Sequence, residues 1–388
     1  MDIQLLRQEL NKLLREKLEP VVELSDLNSE FPLEVYKEVA RAGFGGVYLP
    51  EEYGGGGSLE GLMAVMEEMS KFSPGFALSA MASFQLFGYN IARLGTKDQK
   101  EKYLRGLMNE AKVGCWALTE PDVGSDAIHI KTTAKKEGNN YVLNGSKTFI
   151  TNAPIADYFI IIANSGGGAT GGGTGFNSGS AFVLEKGMKG LSVGKPFLKH
   201  GHRCSPTGQI FLDQVKVSKD CFLGSEGSAF ADMKHSLELE RFLVGPMVCG
   251  MLETLIEKSV AYAYGRQQFG QPILSFQLIQ EKIARMRMHL EMIRSAVERG
   301  VALMEAGKSA TNLATALKLY AGRAAVEMAS ESMQIHGGNG YMHEYRVEMF
   351  MRDAKLLEIG GGTNEMMIQI LAKNTAKEIG KKSGLGTL

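Results

Sequence analysis

The hydrophobic period of this chain changes twice along its length. From residue 1 to about residue 114, apolar residues recur at helical spacing, as in Leu5, Leu6, Leu10, Leu13 and Leu14, and again in Leu62, Val65, Met66 and Met69. Between Cys115 and about Leu223 the pattern becomes a series of short β-branched and aromatic runs: TTAKKEG, YVLNGSKTFIT, DYFIIIAN, SAFVLEKG and QIFLDQVKV. From about Ser228 to Gly380 the helical period returns in long segments, Met233–Tyr264, Leu278–Ala306, Ala310–Met333 and Glu365–Ile379. This order predicts a mainly α fold with a central β domain. An N-terminal α-helical domain spans 1–114, a middle β domain 115–225, and a C-terminal helical bundle domain 226–388.

Glycine punctuates the pattern. GFGGVYLPEEYGGGGS (43–58) marks a turn-rich connection within the first helical part. The stretch at 165–180, SGGGATGGGTGFNSGS, has no composition from which to bury a core and is expected to be a mobile loop between strands. Gly337, Gly338 and Gly340, then Gly360, Gly361 and Gly362, sit between helical segments. Each cluster reads either as a tight interhelical turn or as a close backbone approach to a ligand. The 21 methionines read as core gap-fillers.

Composition narrows the function classes. With 43 Lys+Arg against 43 Asp+Glu, no basic excess is available for phosphate contacts, which argues against a nucleic-acid protein. The four cysteines lie far apart, with no CxxC and no metal-ligand spacing, so no metal is expected and the redox setting reads as a reducing cytoplasm or mitochondrial matrix. No apolar stretch approaches about 18 residues, and the first twenty residues lack an apolar signal core, so neither a membrane span nor secretion is expected. No P-loop or Rossmann glycine fingerprint is present.

One carboxylate stands out. Glu240 sits among Leu237, Leu239, Phe242, Leu243 and Val244. In such surroundings it is either a base with a raised pKa or one half of an ion pair with a neighbouring helix.

Five motifs, in order, carry a family resemblance: CWALTEPDVGSD (115–126), NGSKTFITNA (144–153), RQQFGQPI (266–273), QIHGGNGY (334–341) and RDAKLLEIGGGTNE (352–365). Together they resemble the acyl-CoA dehydrogenase family over nearly the whole chain. The resemblance implies an N-terminal helical domain, a β-barrel-like middle domain and a C-terminal four-helix bundle. It also implies FAD as cofactor and α,β-dehydrogenation of an acyl-CoA thioester to a trans-2-enoyl-CoA. In that reaction a carboxylate takes the α-proton and flavin N5 takes the β-hydride. An electron-transferring flavoprotein is the implied acceptor, and a homotetramer built as a dimer of dimers the implied assembly.

The same resemblance assigns residues. Leu118 and Thr119 would bond the flavin pyrimidine edge, and Ser125 the pyrophosphate. Phe149 would pack on the isoalloxazine where many relatives carry Trp, with Thr151 near N5. Arg266, Phe269, Gln334, Gly337 and Gly338 would contact the pyrophosphate and adenosine of a neighbouring subunit's FAD, a role that suits the planar charged fork of Arg266. Thr363 and Glu365 lie where relatives touch the adenosine end.

The base position departs from the commonest pattern. Many relatives carry their catalytic Glu where this chain has Gly361. The isovaleryl-CoA and long-chain branches instead place it on an earlier helix directly before an Arg, which LELER matches with Glu240 and Arg241. Glu238 should point about 200° away around the helix, toward CoA or solvent, and Arg241 is expected to be structural or CoA-associated. Gly361 would lend its backbone N–H to the thioester carbonyl, together with the flavin ribityl 2′-hydroxyl. The apolar segment 75–87, with Met81 and Phe84, is expected to line the acyl end of the substrate site. With Gly75 near the position where glutaryl-CoA relatives use an arginine, a dicarboxylyl substrate is disfavoured, while branched, alicyclic and medium or long chains stay open. Two rival readings within this fold are an acyl-CoA oxidase and a non-catalytic binding protein.

Overall fold

The Asp2 carboxylate accepts the N–H groups of Gln4 and Leu5, at 3.0 and 3.1 Å, and so starts α1 (Ile3–Lys17). In this computed structural model, which describes residues 1–166, 176 and 178–383, the helical part continues through α2 (Val22–Asn28), α3 (Leu33–Arg41), α4 (Leu59–Phe72), α5 (Pro74–Met81), α6 (Tyr89–Leu94) and α7 (Lys97–Asn109). At the start of α7 a reciprocal cap joins Thr96 and Gln99: each side chain accepts the other's backbone N–H. Between α5 and α6 the chain runs as a π-helix over Ala82–Gly88. This wider winding is invisible to a 3.6-residue period, which reads straight through it.

The middle of the chain forms one mixed sheet. Its strands are β1 (Gly114–Ala117), β2 (Thr133–Glu137), β3 (Asn140–Thr151), β4 (Tyr158–Asn164), β5 (Gly179–Glu185), β6 (Leu191–Val193), β7 (Thr207–Ser218) and β8 (Phe222–Leu223). The order is β6-β7-β3-β2-β4-β5-β8, with β1 parallel to β4. The four-residue β1 was too short to stand out in the sequence. β4 and β5 are buried along almost their whole length, which is why YFIIIA and SAFVL read as continuous apolar runs. Leu143, Ile161, Phe182, Leu184, Ile210 and Val215 form the centre of the sheet's core. The glycine-rich stretch at 165–180, expected to be mobile, lies for the most part outside the described residues.

The long β3–β7 pair is interrupted twice. Near Asn144 an extra residue on β7, Gln214, adopts φ +53° and gives its backbone and side-chain N–H groups to Asn144 Oδ1, both at 2.9 Å. Between Lys147 and Ile150 the extra residue is on β3. This bulge re-aims one side chain, as such bulges do, and the side chain is that of Phe149.

Two compact units result: one comprises residues 1–65, 76–199 and 203–237, the other 66–75, 200–202 and 238–388. The second is built on α8 (Ala229–Gly265) from Glu238 onward, the short hairpin β9 (Gln267–Gln268) and β10 (Gln271–Pro272), α9 (Gln277–Glu305), α10 (Thr311–His336), α11 (Val347–Ala354) and α12 (Asn364–Ser383). Close helix approach depends on missing side chains: a Cβ on Gly245 would come within 2.7 Å of Leu317 and Val297, and one on Gly300 within 2.1 Å of Phe242. An ion network also ties this unit together. Lys71 pairs with Glu68 at 2.9 Å and Glu253 at 2.7 Å, and Arg294 pairs with Glu67 and Glu253. Glu67 and Glu68 are buried, so these ion pairs are made largely out of water.

Candidate active site

In the second unit the central group is Glu240. α8 carries it between the buried Leu239 and Phe242, and its carboxyl rests against the glycine turn that precedes α12. A Cβ built on Gly361 would lie 3.6 Å from both Cδ and Oε1 of Glu240. Burial dominates the carboxyl's proton affinity and, against the smaller opposing pull of Arg241 and Lys318, raises its pKa to about 7. No ion pair of Glu240 occurs among the described residues, so the ion-pair reading finds no partner there.

The turn itself is held from two sides. Gly361 and Gly362 adopt φ +64° and +98°, which side chains rarely tolerate. Arg241 Nε donates to the Gly361 carbonyl at 3.2 Å, and Lys318 Nζ to the Gly362 carbonyl at 2.6 Å. The Gly361 N–H has no acceptor among the described residues. Arg241 therefore serves the turn. Glu238 is engaged as well: it accepts the Thr311 hydroxyl at 2.7 Å, at the start of α10, instead of facing outward unpartnered. Thr363 accepts the Met366 N–H at 3.3 Å and caps α12, where Glu365 is exposed.

Also in this unit, Arg266, Phe269, Gln334, Gly337 and Gly338 are all exposed. Phe269 sits in the turn of the β9–β10 hairpin at φ +53° and is 92% exposed. Phe269 is thus a large aromatic held outward in a backbone conformation that side chains rarely adopt.

In the first unit, Leu118 and Thr119 follow the end of β1. Lys147 on β3 is wholly buried and donates both to the Leu118 carbonyl, at 3.0 Å, and to Glu120 Oε1, at 2.7 Å. The Thr119 carbonyl accepts the Thr148 N–H at 2.9 Å. Glu120 also takes the N–H groups of Lys131 and Thr132. Burial alone would raise its pKa; Lys147 and these bonds bring it below the ordinary carboxylate value. With both carbonyls engaged by β3, the Leu118 and Thr119 N–H groups are left without an acceptor among the described residues.

Two residues along, the bulge puts Phe149 at φ +57° and 68% exposed, with its ring 5.7 Å from that of Phe197. Thr151 is half-buried. Its neighbour Asn152 is locked by bonds from Nδ2 to the Ser79 and Gly114 carbonyls at 2.9 and 3.2 Å. Ser125 is exposed.

Met81 and Phe84 require a correction. They were expected to line the acyl site, but they are 5% and 1% exposed. Phe84 stacks on Tyr36 at 5.6 Å and fills the space that a Cβ on Gly45 would enter. Both are core packing, because a side chain with almost no accessible surface has none to offer a ligand.

Sequence reading missed Glu120, Lys147 and Lys318. The first two lie inside motifs quoted for other residues. Lys318 carried a usable signal: it shares a helical face with Ala314, Leu317 and Ala321, all buried, so a lysine there interrupts an apolar stripe.

Comparison with known proteins decides the family. The model described as acyl-CoA dehydrogenase, N-terminal domain matches residues 2–111, the middle-domain model residues 115–215, and the C-terminal-domain model residues 227–376. The chain belongs to the acyl-CoA dehydrogenase family. Among curated relatives, an acryloyl-CoA reductase (NADH) of Anaerotignum propionicum is 38% identical, over 97% of this chain and 96% of its own. A mitochondrial isovaleryl-CoA dehydrogenase of Pongo abelii is 35% identical, over 95% and 87%. A chain in the solved structure of the electron transferring flavoprotein of Acidaminococcus fermentans superposes with a TM-score of 0.92 at 34% identity, over 97% and 98%. As an acyl-CoA dehydrogenase, this chain is an FAD-dependent oxidoreductase acting on acyl-CoA. Within the first unit, the orphaned Leu118 and Thr119 N–H groups and the outward Phe149 fit a flavin cofactor. No helix among the described residues is long and apolar enough to cross a membrane.

Proposed function

We propose that this acyl-CoA dehydrogenase removes the α-proton of its thioester with Glu240, using the Gly361 N–H to stabilise charge on the thioester oxygen. The observation that carries the reading is the Glu240 carboxyl beside the Gly361 turn, with a raised pKa and no ion pair among the described residues. An α-proton next to a thioester is weakly acidic. A desolvated carboxylate is a stronger base than one in water, and a fixed N–H lowers the cost of the developing enolate.

The chemistry that FAD would supply when bound is acceptance of the β-hydrogen as hydride, so that the product would be a trans-2-enoyl-CoA. Leu118 and Thr119 would hold the pyrimidine edge of the flavin through their free N–H groups, Phe149 would cover the ring, and Thr151 would bond near N5. Ser125 would reach the pyrophosphate. Arg266, Phe269, Gln334, Gly337 and Gly338 would serve the adenosine diphosphate end of a second subunit's cofactor, with Thr363 and Glu365 beyond them, as in a dimer of dimers. The electron-transferring flavoprotein structure supports such a flavoprotein as the electron acceptor.

A second reading concerns direction. The acryloyl-CoA reductase relative favours reduction of an enoyl-CoA, and a carboxyl with a pKa of about 7 can give a proton to Cα as readily as take one. The test is anaerobic titration of the yellow protein with straight, branched, alicyclic and dicarboxylyl CoA thioesters, followed by flavin absorbance, beside the reoxidation of reduced protein by the matching enoyl-CoA. Bleaching by one thioester class supports dehydrogenation and names the substrate group. Faster flavin reoxidation by the enoyl-CoA than bleaching by its saturated partner gives the reductive direction. A flavin unchanged in both arms sinks the proposal.

A further inference from the structure

Beside the assigned groups lies a buried cation, Lys318, with no part yet in the proposed chemistry. Lys318 is wholly buried on α10, among Ala314, Leu317 and Ala321. A buried ammonium is costly unless its protons are used, and Lys318 donates to the Gly362 carbonyl at 2.6 Å. One residue earlier, the Gly361 carbonyl takes the Arg241 bond at 3.2 Å.

We propose that Lys318 is a positioning residue of the site: with Arg241 it anchors two successive carbonyls of the glycine turn, and so fixes the Gly361 N–H beside the Glu240 carboxyl. The inference rests on the roles assigned above to Glu240 and Gly361.

Three consecutive glycines, 360–362, have no side chains by which to pack, and glycine loses more backbone freedom on ordering than any other residue. An N–H that must meet a developing oxyanion needs to be held before the reaction starts. Bonds from outside the turn can do this, and the described structure supplies them from α8 and α10, one cation on each. That both anchors are cations adds a second effect. The charged groups acting on Lys318 are Arg241 and Glu240 from α8, Glu358 from the 3-10 turn Lys355–Glu358, and Glu365 from α12. Those acting on Glu240 are Arg241 and Lys318, and both favour its ionised form. Losing the Lys318 charge therefore makes Glu240 harder to ionise.

Two substitutions separate anchoring from charge. Lys318→Gln removes the charge but keeps an N–H donor; Lys318→Met removes both. Three quantities are read on the flavin-loaded full chain: anaerobic bleaching rate at saturating acyl-CoA, flavin content, and the Glu240 carboxyl titration by difference infrared spectroscopy, assigned by its loss in Glu240→Gln. For Lys318→Met the bleaching rate is expected to fall by about tenfold to a hundredfold, the scale of a small misplacement of a catalytic group, with flavin content held. Lys318→Gln should retain more of the rate, and both variants should move the Glu240 titration to higher pH. Wild-type bleaching rates together with an unmoved titration in both folded variants would overturn the proposal. If Lys318→Met does not fold, the rate and titration of Lys318→Gln decide. If the wild-type chain itself is not bleached, the dehydrogenase reading fails, and an unmoved infrared titration still counts separately against Lys318.

Discussion

The Glu240 carboxyl occupies the space into which a side chain on Gly361 would grow, with Cδ and Oε1 3.6 Å from the Cβ position there. Two backbone positions far apart in the chain thus converge on one place for a base. On the proposed mechanism a carboxyl from either could serve as the base, whereas carboxyls from both would repel and push one pKa up.

Moving the base across that gap should be possible. Glu240→Gly alone is expected to abolish flavin bleaching by acyl-CoA. Glu240→Gly combined with Gly361→Glu should recover part of it, reduced because a side chain at φ +64° costs about 1 kcal/mol or more. Stopped-flow bleaching of both variants checks this; no recovery in a folded, flavin-loaded double variant counts against a shared location.

The pH dependence follows from a pKa raised from 4.5 to about 7. Proton abstraction needs the ionised form, so the dehydrogenation rate should rise with pH through about 7, while enoyl-CoA reduction, which needs the acid, should fall there. For stability, a group whose folded pKa is raised contributes fully below its unfolded value. That contribution is lost as pH climbs from 4.5 through about 7. Glu240→Gln has no charge to desolvate and should melt at a higher temperature than the wild-type chain above pH 7, the difference vanishing below 4.5. Calorimetry across that range measures it.

At the other end of the chemistry, Lys147→Met strands the buried Glu120 and frees the Leu118 carbonyl. Breaking one side of a buried pair typically costs about 3–5 kcal/mol. A lower melting temperature accompanied by weaker flavin retention is expected. Equal flavin affinity in a variant that still folds would show that the pair supports the sheet alone.

Arg266→Ala and Phe269→Ala should weaken flavin binding without moving the Glu240 titration. If these exposed residues cover a second subunit's cofactor, flavin loss should also depend on protein concentration. Sedimentation monitored at the flavin band tests both points, and flavin retained in a dissociated wild-type monomer opposes the shared arrangement.

How much of this was legible beforehand depends on the residue. The helix–sheet–helix order was plain because each part keeps one hydrophobic period over many residues. Glu240 was visible as a carboxylate in an apolar run. That Gly361 lacks the carboxylate while Glu240 precedes an Arg was also legible, through the family resemblance; the closeness of the two positions was not, because that depends on how α8 meets a turn much later in the chain. The π-helix at 82–88 escaped because it leaves no periodic trace, and with it went the packing that turns Phe84 into the core. Phe149 was named, but its outward aim comes from a bulge that only the pairing of β3 with β7 reveals. Lys147 went unnoticed inside a motif quoted for other residues, and Lys318 could have been found only from its place on an apolar helical stripe; their bonds to main-chain carbonyls show what each does.

The most direct test of Glu240 as the base is exchange at Cα, which needs proton transfer but no net oxidation. A saturated acyl-CoA of the class that bleaches the flavin is incubated anaerobically in deuterium oxide with wild-type or Glu240→Gln protein, and deuterium at Cα is read by mass spectrometry. Incorporation with the wild-type chain and none with Glu240→Gln, both carrying flavin, is the predicted result. Undiminished incorporation with Glu240→Gln would mean that another group takes the proton.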